Sequence, residues 1–365
     1  MKEPRHMATS GHQRERMPTT FVPDTTRSVT RLSSLVETDN MAAMKTDSVA
    51  IDDLDRALIH ALMVDGRAPF ARLGEVLGVS DRTVARRFTR LRGAGGVRLV
   101  GAIDLATLGG ARWVIRLRCQ PGAANEVALA LAKREDTQWV HLVSGGTEIT
   151  ASLHSWSPEE RDELILHRLQ RTAPVESVTA HNVLHVFGGG PSGFRGMHVL
   201  PDDQVAALRA GVPQDGEPTT LTDADRPLLR ALSRDGRAPY PALATATGWS
   251  ESTVARRVEA LRAARVLFVD VDVDSKAMGF HEEARLWASV PPSHLAETGA
   301  AIAAHPEVAF CAATTGATNL MASVVCRDAR DFYRYLTERM GALPLVREVE
   351  TAPLIRTLKR AGALL

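Results

Sequence analysis

Behind Ser80 the chain runs Asp81-Arg82-Thr83-Val84-Ala85-Arg86-Arg87-Phe88-Thr89-Arg90. A serine hydroxyl can accept from an orphan N–H of a first helical turn, so Ser80 is a good N-cap. Arg82, Thr83, Arg86 and Arg90 then recur at near-helical spacing from the capped end. A guanidinium fork suits both phosphate and the guanine edge, and the N-terminal residues of such a helix are those that reach base edges in a groove. The candidate DNA-binding set is therefore Ser80, Arg82, Thr83, Arg86, Arg87 and Arg90. A second set, Ser250, Ser252, Thr253, Arg256 and Arg257, has the same pattern. Arg82 gives way there to Ser252 and Arg90 to Ala260, so the two faces are expected to read different half-sites or to bind with different strength. A solvated arginine face is the bland alternative. Arg87 and Arg257 also have a structural alternative, bridging to an acidic residue of an earlier helix.

Other residues invite other chemistry. Gly145, Thr147 and Glu148, and again Gly316, Thr318 and Asn319, place polar side chains after glycine turns. They could hold the ammonium and carboxylate of an α-amino acid, or be ordinary hairpin tips. His141, His154, His181 and His185 fall on expected strands, but their spacing fits no standard metal pattern. No metal and no cofactor is expected. Cys119, Cys311 and Cys326 are an odd number without a C-x-x-C pair, which points to reduced, buried thiols. Cys311 and Cys326 are expected to face each other on adjacent strands. No nucleophile–base pair or phosphate loop is present, and the chain is expected not to be an enzyme.

The elements that position these residues repeat. Asp65-Gly66-Arg67-Ala68-Pro69-Phe70 recurs as Asp235-Gly236-Arg237-Ala238-Pro239-Tyr240, and Thr83-Val84-Ala85-Arg86-Arg87 as Thr253-Val254-Ala255-Arg256-Arg257. Two ungapped blocks at one offset mark a duplication. Within a copy, Leu54, Leu58, Ile59 and Leu62 line one helical face. Gly-containing Asp65–Pro69 breaks that helix, and Phe70, Leu73, Val76 and Leu77 make a second. Gly78 permits a tight turn, and Val84, Phe88 and Leu91 line a third helix, which completes a helix-turn-helix pattern. Leu228, Leu229, Leu232, Leu243, Val254, Val258 and Leu261 repeat it.

After each helical triplet the pattern switches to period two. Strands are expected near Val97–Ile103, Trp113–Cys119, Trp139–Val143, Glu148–Leu153 and Val175–Val186, with helices near Ala123–Lys133 and Pro158–Arg171. The second copy gives strands near Val266–Val273, Glu283–Val290, Val308–Ala313, Leu320–Val325 and Val346–Ile355, with helices near Ser293–Ala304 and Ala329–Met340. After a leading strand the order is βαββαβ, the ferredoxin-like unit. The predicted fold is α+β, a tandem repeat of a winged-type helix-turn-helix and a ferredoxin-like domain. The expected organisation is a disordered tail at 1–49, helix-turn-helix 1 at 50–98, sensor domain 1 at 99–187, a linker at 188–220, helix-turn-helix 2 at 221–266 and sensor domain 2 at 267–365.

The 365 residues hold 44 Lys plus Arg against 43 Asp plus Glu, a net charge of +1, so any polyanion must meet a local basic surface. Between Asp52 and Arg98 nine arginines face six acidic residues, and between Asp223 and Arg265 eight face five. Both modules are thus locally basic, as phosphate contact requires. No apolar run reaches the length of a membrane helix, and a cytoplasmic protein is expected.

These residues resemble the Lrp/AsnC ("feast/famine") family. Asp52 and Asp55, Asp65-Gly66-Arg67, Leu73-Gly74, Gly78, then Ser80, Val84, Arg87 and Leu91 follow its helix-turn-helix signature, and Asp235-Gly236-Arg237, Leu243-Ala244, Gly248, Ser250, Val254, Arg257 and Leu261 repeat it. The resemblance implies a transcriptional regulator of double-stranded DNA, sensor domains of the RAM/AsnC ligand-binding type, a homo-oligomer joined through them, and a small effector such as an amino acid at their interfaces. Two copies in one chain lead to the expectation that the sensor domains pair internally, so that one chain acts like a dimer. A rival resemblance is to the sirohaem decarboxylases of the same architecture, known by a histidine soon after the first long strand and an N-G-M segment. Gly101-Ala102-Ile103-Asp104-Leu105 and Gly109-Gly110-Ala111-Arg112-Trp113 stand there instead, and His281 follows Gly279-Phe280 without the rest. A sensor protein that has lost DNA binding is the other alternative.

Overall fold

The first helical triplet begins at Asp52, which caps α1 (Asp53–Val64) in a reciprocal capping box with Asp55. α2 (Phe70–Leu77) ends at Gly78 in the left-handed region, the turn before α3 (Asp81–Gly93). Leu58, Ile59, Leu62, Leu73, Val84 and Leu91 are all buried in one core, each worth about 1.5–3 kcal/mol by burial of apolar surface. In this computed structural model the described residues are 51–93, 96–103, 111–154, 158–189, 194–213, 216–217 and 219–361. The expected disordered tail lies outside them.

Next come β1 (Val97–Ile103), β2 (Arg112–Cys119), α4 (Ala124–Ala132), β3 (Thr137–Val143), β4 (Glu148–His154), α5 (Pro158–Asp162, continued by a wider turn to Leu169) and β5 (Val175–Gly188). The connecting segment holds α6 (Asp202–Arg209). The second copy then follows as α7 (Arg226–Arg234), α8 (Tyr240–Thr247), α9 (Glu251–Ala263), β6 (Leu267–Val273), β7 (Glu282–Ser289), α10 (Leu295–Ala303), β8 (Val308–Thr314), β9 (Leu320–Cys326), α11 (Ala329–Arg334, continued by a wider turn to Met340) and β10 (Glu348–Lys359). The predicted elements are present in order, with ends moved by a few residues.

The copies do not form separate beads. β1 pairs antiparallel with β6 as a two-stranded ribbon, Val97 opposite Val273. The remaining strands close into one barrel in the order β10-β3-β4-β2-β5-β8-β9-β7. Two long strands make the closure. β5 pairs with β2 over its first half and with β8 from Val183 onward, while β10 pairs with β7 and then, from Leu354, with β3. The sensor domains therefore pair within the chain, as expected from the duplication.

Alternation along each strand sorts side chains between two sides. Ile115, Leu117 and Cys119 of β2 pack with α4, while Leu286 and Ala288 of β7 pack in the corresponding core of the second copy. Val114, Val143, Trp287, Met321 and Ala352 form a separate cluster inside the barrel. Cys311 and Cys326 share the second-copy core, but Cys311 stands opposite Ala322, so they are not cross-strand neighbours. Burial pushes both thiols up to about 12.

The linker is not a free tether. Phe194, Met197 and Leu208 are buried in the core of the first helical module. His60 of α1 stacks on His198 at 4.4 Å between ring centroids, and its Nδ1 accepts from the Val199 and Leu200 amides at 3.1 and 2.9 Å.

Candidate nucleic-acid interface and the sensor loops

Both third helices are capped as their sequences predict: the Thr83 amide donates to Ser80 Oγ and the Thr253 amide to Ser250 Oγ, each at 3.2 Å. Val84, Phe88 and Leu91 turn α3 inward, leaving Arg82 and Arg86 exposed with no side-chain bond among the described residues. In α9, Ser252 and Arg256 are also exposed; Ser252 Oγ lies 3.0 Å from Ser250 Oγ, while Arg256 has no side-chain bond among the described residues. Thr83 and Thr253 are half-buried, their hydroxyls 2.9 and 2.8 Å from the capping serines.

Not every candidate arginine is available. Arg87 lies 2.6 Å from Asp52 and 2.9 Å from buried Asp55, and Arg90 also bonds Asp55. Arg257 bonds Asp225 at 2.7 Å and reaches the Thr219 hydroxyl and the Thr220 carbonyl. The Arg87 hydrogen bond helps hold the Asp52 carboxyl down at about 2. Arg87 and Arg257 thus tie the third helix to the acidic start of the first, the structural alternative. Arg90, expected to face the groove, shares this tie, so that buried Asp55 is neutralised by two arginines.

The two modules grip each other through the repeated Asp-Gly-Arg segment. Arg67 donates to the carbonyls of Gly236 at 2.7 Å and Ala238 at 3.2 Å, while Arg237 donates to Gly66 at 2.8 Å and Ala68 at 3.0 Å. Arg92 pairs with Asp235 at 2.7 Å and Arg262 with Asp65 at 2.9 Å. Each contact has its mate at the repeat offset, so a local two-fold relates the modules. Gly236 is required here, since a Cβ would stand 2.9 Å from the Val100 carbonyl carbon. In sequence Asp65-Gly66-Arg67 reads as a helix break, a repeat marker and part of the helix-turn-helix signature, but not as a clamp. The exact recurrence of the triplet was the available signal for that role.

The sensor loops lie where the copies meet, and the side chains of Thr147, Glu148 and Asn319 are engaged there. Glu148 is buried, 2.6 Å from Arg116, and accepts from Ser144 Oγ at 3.0 Å. Arg116 also forks onto Glu350 at 2.9 and 2.5 Å and lies 3.8 Å over the Trp287 ring. Burial alone would lower the Arg116 pKa, but hydrogen bonds to Glu350 and Glu148 carry it upward. Asn319 clamps the backbone of Val290, accepting from its N–H at 2.9 Å and donating to its carbonyl at 2.8 Å. Thr147 donates to the Ser144 carbonyl at 3.0 Å, and the Thr318 carbonyl accepts from Thr314 Oγ1 at 3.4 Å. Gly145 and Gly316 have φ of 72° and 116°, turns that favour glycine. The loop at Gly316 abuts the first copy, where His181 Nδ1 is 2.6 Å from the Thr315 carbonyl. Glu148 and Asn319, two of the expected effector ligands, thus both have partners within the chain at this interface.

The barrel interior holds one cation of a different kind. Buried Arg285 donates to Ser323 Oγ and to His141 Nε2 at 2.5 Å, and it makes no ion pair among the described residues. Burial pushes its pKa down to about 10. The guanidinium only donates, so His141 Nε2 is its acceptor, and Nδ1–H faces Thr357 Oγ1 at 3.1 Å. Burial first, then Arg285 and Arg360, keep His141 neutral. Both nitrogens of His154 are buried without a hydrogen bond, and burial with Arg112 and Lys359 nearby holds it down at about 3. His185 stacks edge-on against Phe187 at 4.7 Å. Among the described residues no group of three or more His, Cys, Asp or Glu is arranged to hold a metal ion. No helix there is long and apolar enough to cross a membrane.

This is the architecture of proteins that join helix-turn-helix modules to paired ferredoxin-like domains. The AsnC-type helix-turn-helix domain matches residues 51–92 and 221–262, and the Lrp/AsnC ligand binding domain matches 283–364. The chain thus carries two AsnC-type helix-turn-helix domains and an Lrp/AsnC ligand binding domain. It is 25% identical over 146 residues to the HTH-type transcriptional regulator FL11 of Pyrococcus horikoshii, covering 40% of this chain and 95% of that protein. It is 27% identical over 276 residues to the siroheme decarboxylase NirDL subunit of Paracoccus pantotrophus, covering 72% of this chain and 80% of that one. The crystal structure of the siroheme decarboxylase NirDL superposes with a TM-score of 0.57 at 16% identity, covering 85% and 93% of the two chains, which establishes a shared fold. The expectation that the chain is not an enzyme is overturned by this similarity, which spans both copies and reaches an enzyme of the same architecture.

Proposed function

We propose that the protein is a DNA-binding regulator that reads a pseudo-palindromic site with both helical modules of one chain. The observation that supports this best is the display of the two third helices. Arg82 and Arg86 on one, and Arg256 on the other, are exposed and free of partners among the described residues, on modules clamped to each other about a local two-fold. Arg87, Arg90 and Arg257 set the helix angle, while Arg82, Thr83, Arg86, Ser252, Thr253 and Arg256 form the contact face. Double-stranded DNA is the partner, and a small effector acts through the sensor barrel, whose association into higher oligomers multiplies the DNA contacts.

Promoter DNA flanking the gene, titrated by anisotropy at several salt concentrations, tests this. Arg86→Ala and Arg256→Ala should each weaken binding about tenfold and lower the salt slope by about 1. Binding that ignores salt and both substitutions would refute it.

A second reading is decarboxylation of sirohaem, R–COO⁻ + H⁺ → R–H + CO2. It is favoured by the similarity to NirDL subunits across both copies and by Arg285, a buried cation that a substrate carboxylate would complement. Incubation with sirohaem, followed by mass analysis for loss of CO2, tests it. Unchanged substrate would exclude it.

A further inference from the structure

Between α1, the docked linker and the base of the second helical module lies a cavity of about 640 Å³, bounded among others by His60, His198, Val205, Arg209, Arg265 and Val269. Its size is that of a small-molecule site. Most of its walls are aliphatic or aromatic, so a ligand must present an apolar body.

Two polar features are built into it. His60 is buried and held neutral, at about 4, by burial first and then by His198 and Arg209. Its Nδ1 accepts two backbone amides, which leaves the ring proton on Nε2. That N–H has no protein partner among the described residues. The second feature is Arg265, which sits just past α9 at φ 57°. A left-handed conformation is costly for a side chain with a Cβ and is ordinarily given to glycine. At the repeat offset the first copy carries Gly95. The flanking bond is the same in both copies: the Gly96 amide donates to the Leu91 carbonyl at 3.2 Å, and the Val266 amide to the Leu261 carbonyl at 3.0 Å. The second copy thus keeps an arginine where the turn favours glycine, and that arginine bounds the cavity without an ion pair or hydrogen bond among the described residues. The cavity also has Asp65, which Arg262 neutralises at 2.9 Å, and exposed Asp202. Three arginines against two aspartates leave it cationic.

We propose that this cavity binds a small organic anion with an apolar body, its acidic group on Arg265 and its polar edge on the His60 Nε2–H. The site is distinct from the sensor barrel, and its walls come from both helical modules and the linker, so occupancy fixes the modules relative to each other.

The test is a fluorescence titration of the full chain with 8-anilinonaphthalene-1-sulfonate, an apolar body bearing one anion. Displacement by octanoate and benzoate follows. Saturable binding at one site per chain is expected. Arg265→Gly, which installs the residue of the first copy, should weaken binding at least tenfold while its melting temperature does not fall. Val205→Trp, filling the cavity, should abolish binding with the circular dichroism spectrum retained. Absence of saturable binding, or binding that Arg265→Gly leaves unchanged, would overturn the assignment.

Discussion

Replacing Arg237 with alanine should loosen the clamp between the helical modules by a calculable amount. Its two hydrogen bonds to the Gly66 and Ala68 carbonyls come from a charged donor, each worth about 1.5–3 kcal/mol. The guanidinium also lies 4.7 Å over the Phe70 ring, which adds about 1 kcal/mol. Against this stands the cost of burying the charge. Burial, aided by repulsion from Arg67, pushes the Arg237 pKa from 12.5 to about 10, a penalty of roughly 3 kcal/mol that truncation relieves. The net loss is about 1–4 kcal/mol by these magnitudes, centred on 2–3. Because the folding of so large a chain is not two-state, the readout is hydrogen exchange at the amides of the β1–β6 ribbon. Opening should speed roughly 30- to 150-fold, at one tenfold step per 1.4 kcal/mol. Arg67→Ala should behave alike, and the double variant should lose less than the sum, since one broken grip already frees the facing segment. Ribbon exchange unchanged in either single variant, or strict additivity, would refute the clamp.

Other consequences follow from the same geometry. The His60 pKa is lowered from 6.5 to about 4, so between these values the unfolded or undocked segment binds the proton more tightly. Docking of α6 is complete above 6.5 and weakens as pH falls toward 4, which hydrogen exchange at α6 should show and His60→Leu should flatten. Arg285→Met removes a buried cation lacking an ion pair; by the behaviour of buried charges it should not lower the melting temperature, and a lower value in thermal scans would show that its bonds to His141 and Ser323 are net stabilising. In Gly316→Ala a Cβ would meet His181 Nδ1 at 2.5 Å on a backbone at φ 116°; a loss of about 1–3 kcal/mol is expected from strain of this kind, and an unchanged melting temperature would contradict it.

Much of this protein was legible in the order of its residues. Periodicity of 3.6 and then of 2 marked the helices and strands, because burial of one face dictates the spacing of apolar residues locally. Ser80 and Ser250 announced their helices through cap chemistry that acts over three residues. The offset of the Asp65-Gly66-Arg67 and Asp235-Gly236-Arg237 blocks revealed the duplication. Partner choice was a different matter. Whether Arg87 faced a groove or Asp55 depended on how α3 crosses α1, and whether Glu148 stood free depended on Arg116 and Ser144 meeting it in the closed barrel. Arg265 reads in sequence as one more surface arginine; only its left-handed backbone and the cavity beside it set it apart. The sequence alone determined which elements form and that they form twice. Tertiary structure decided which charges remain free, because a charge is neutralised by whatever the fold brings within a few ångströms, however distant along the chain.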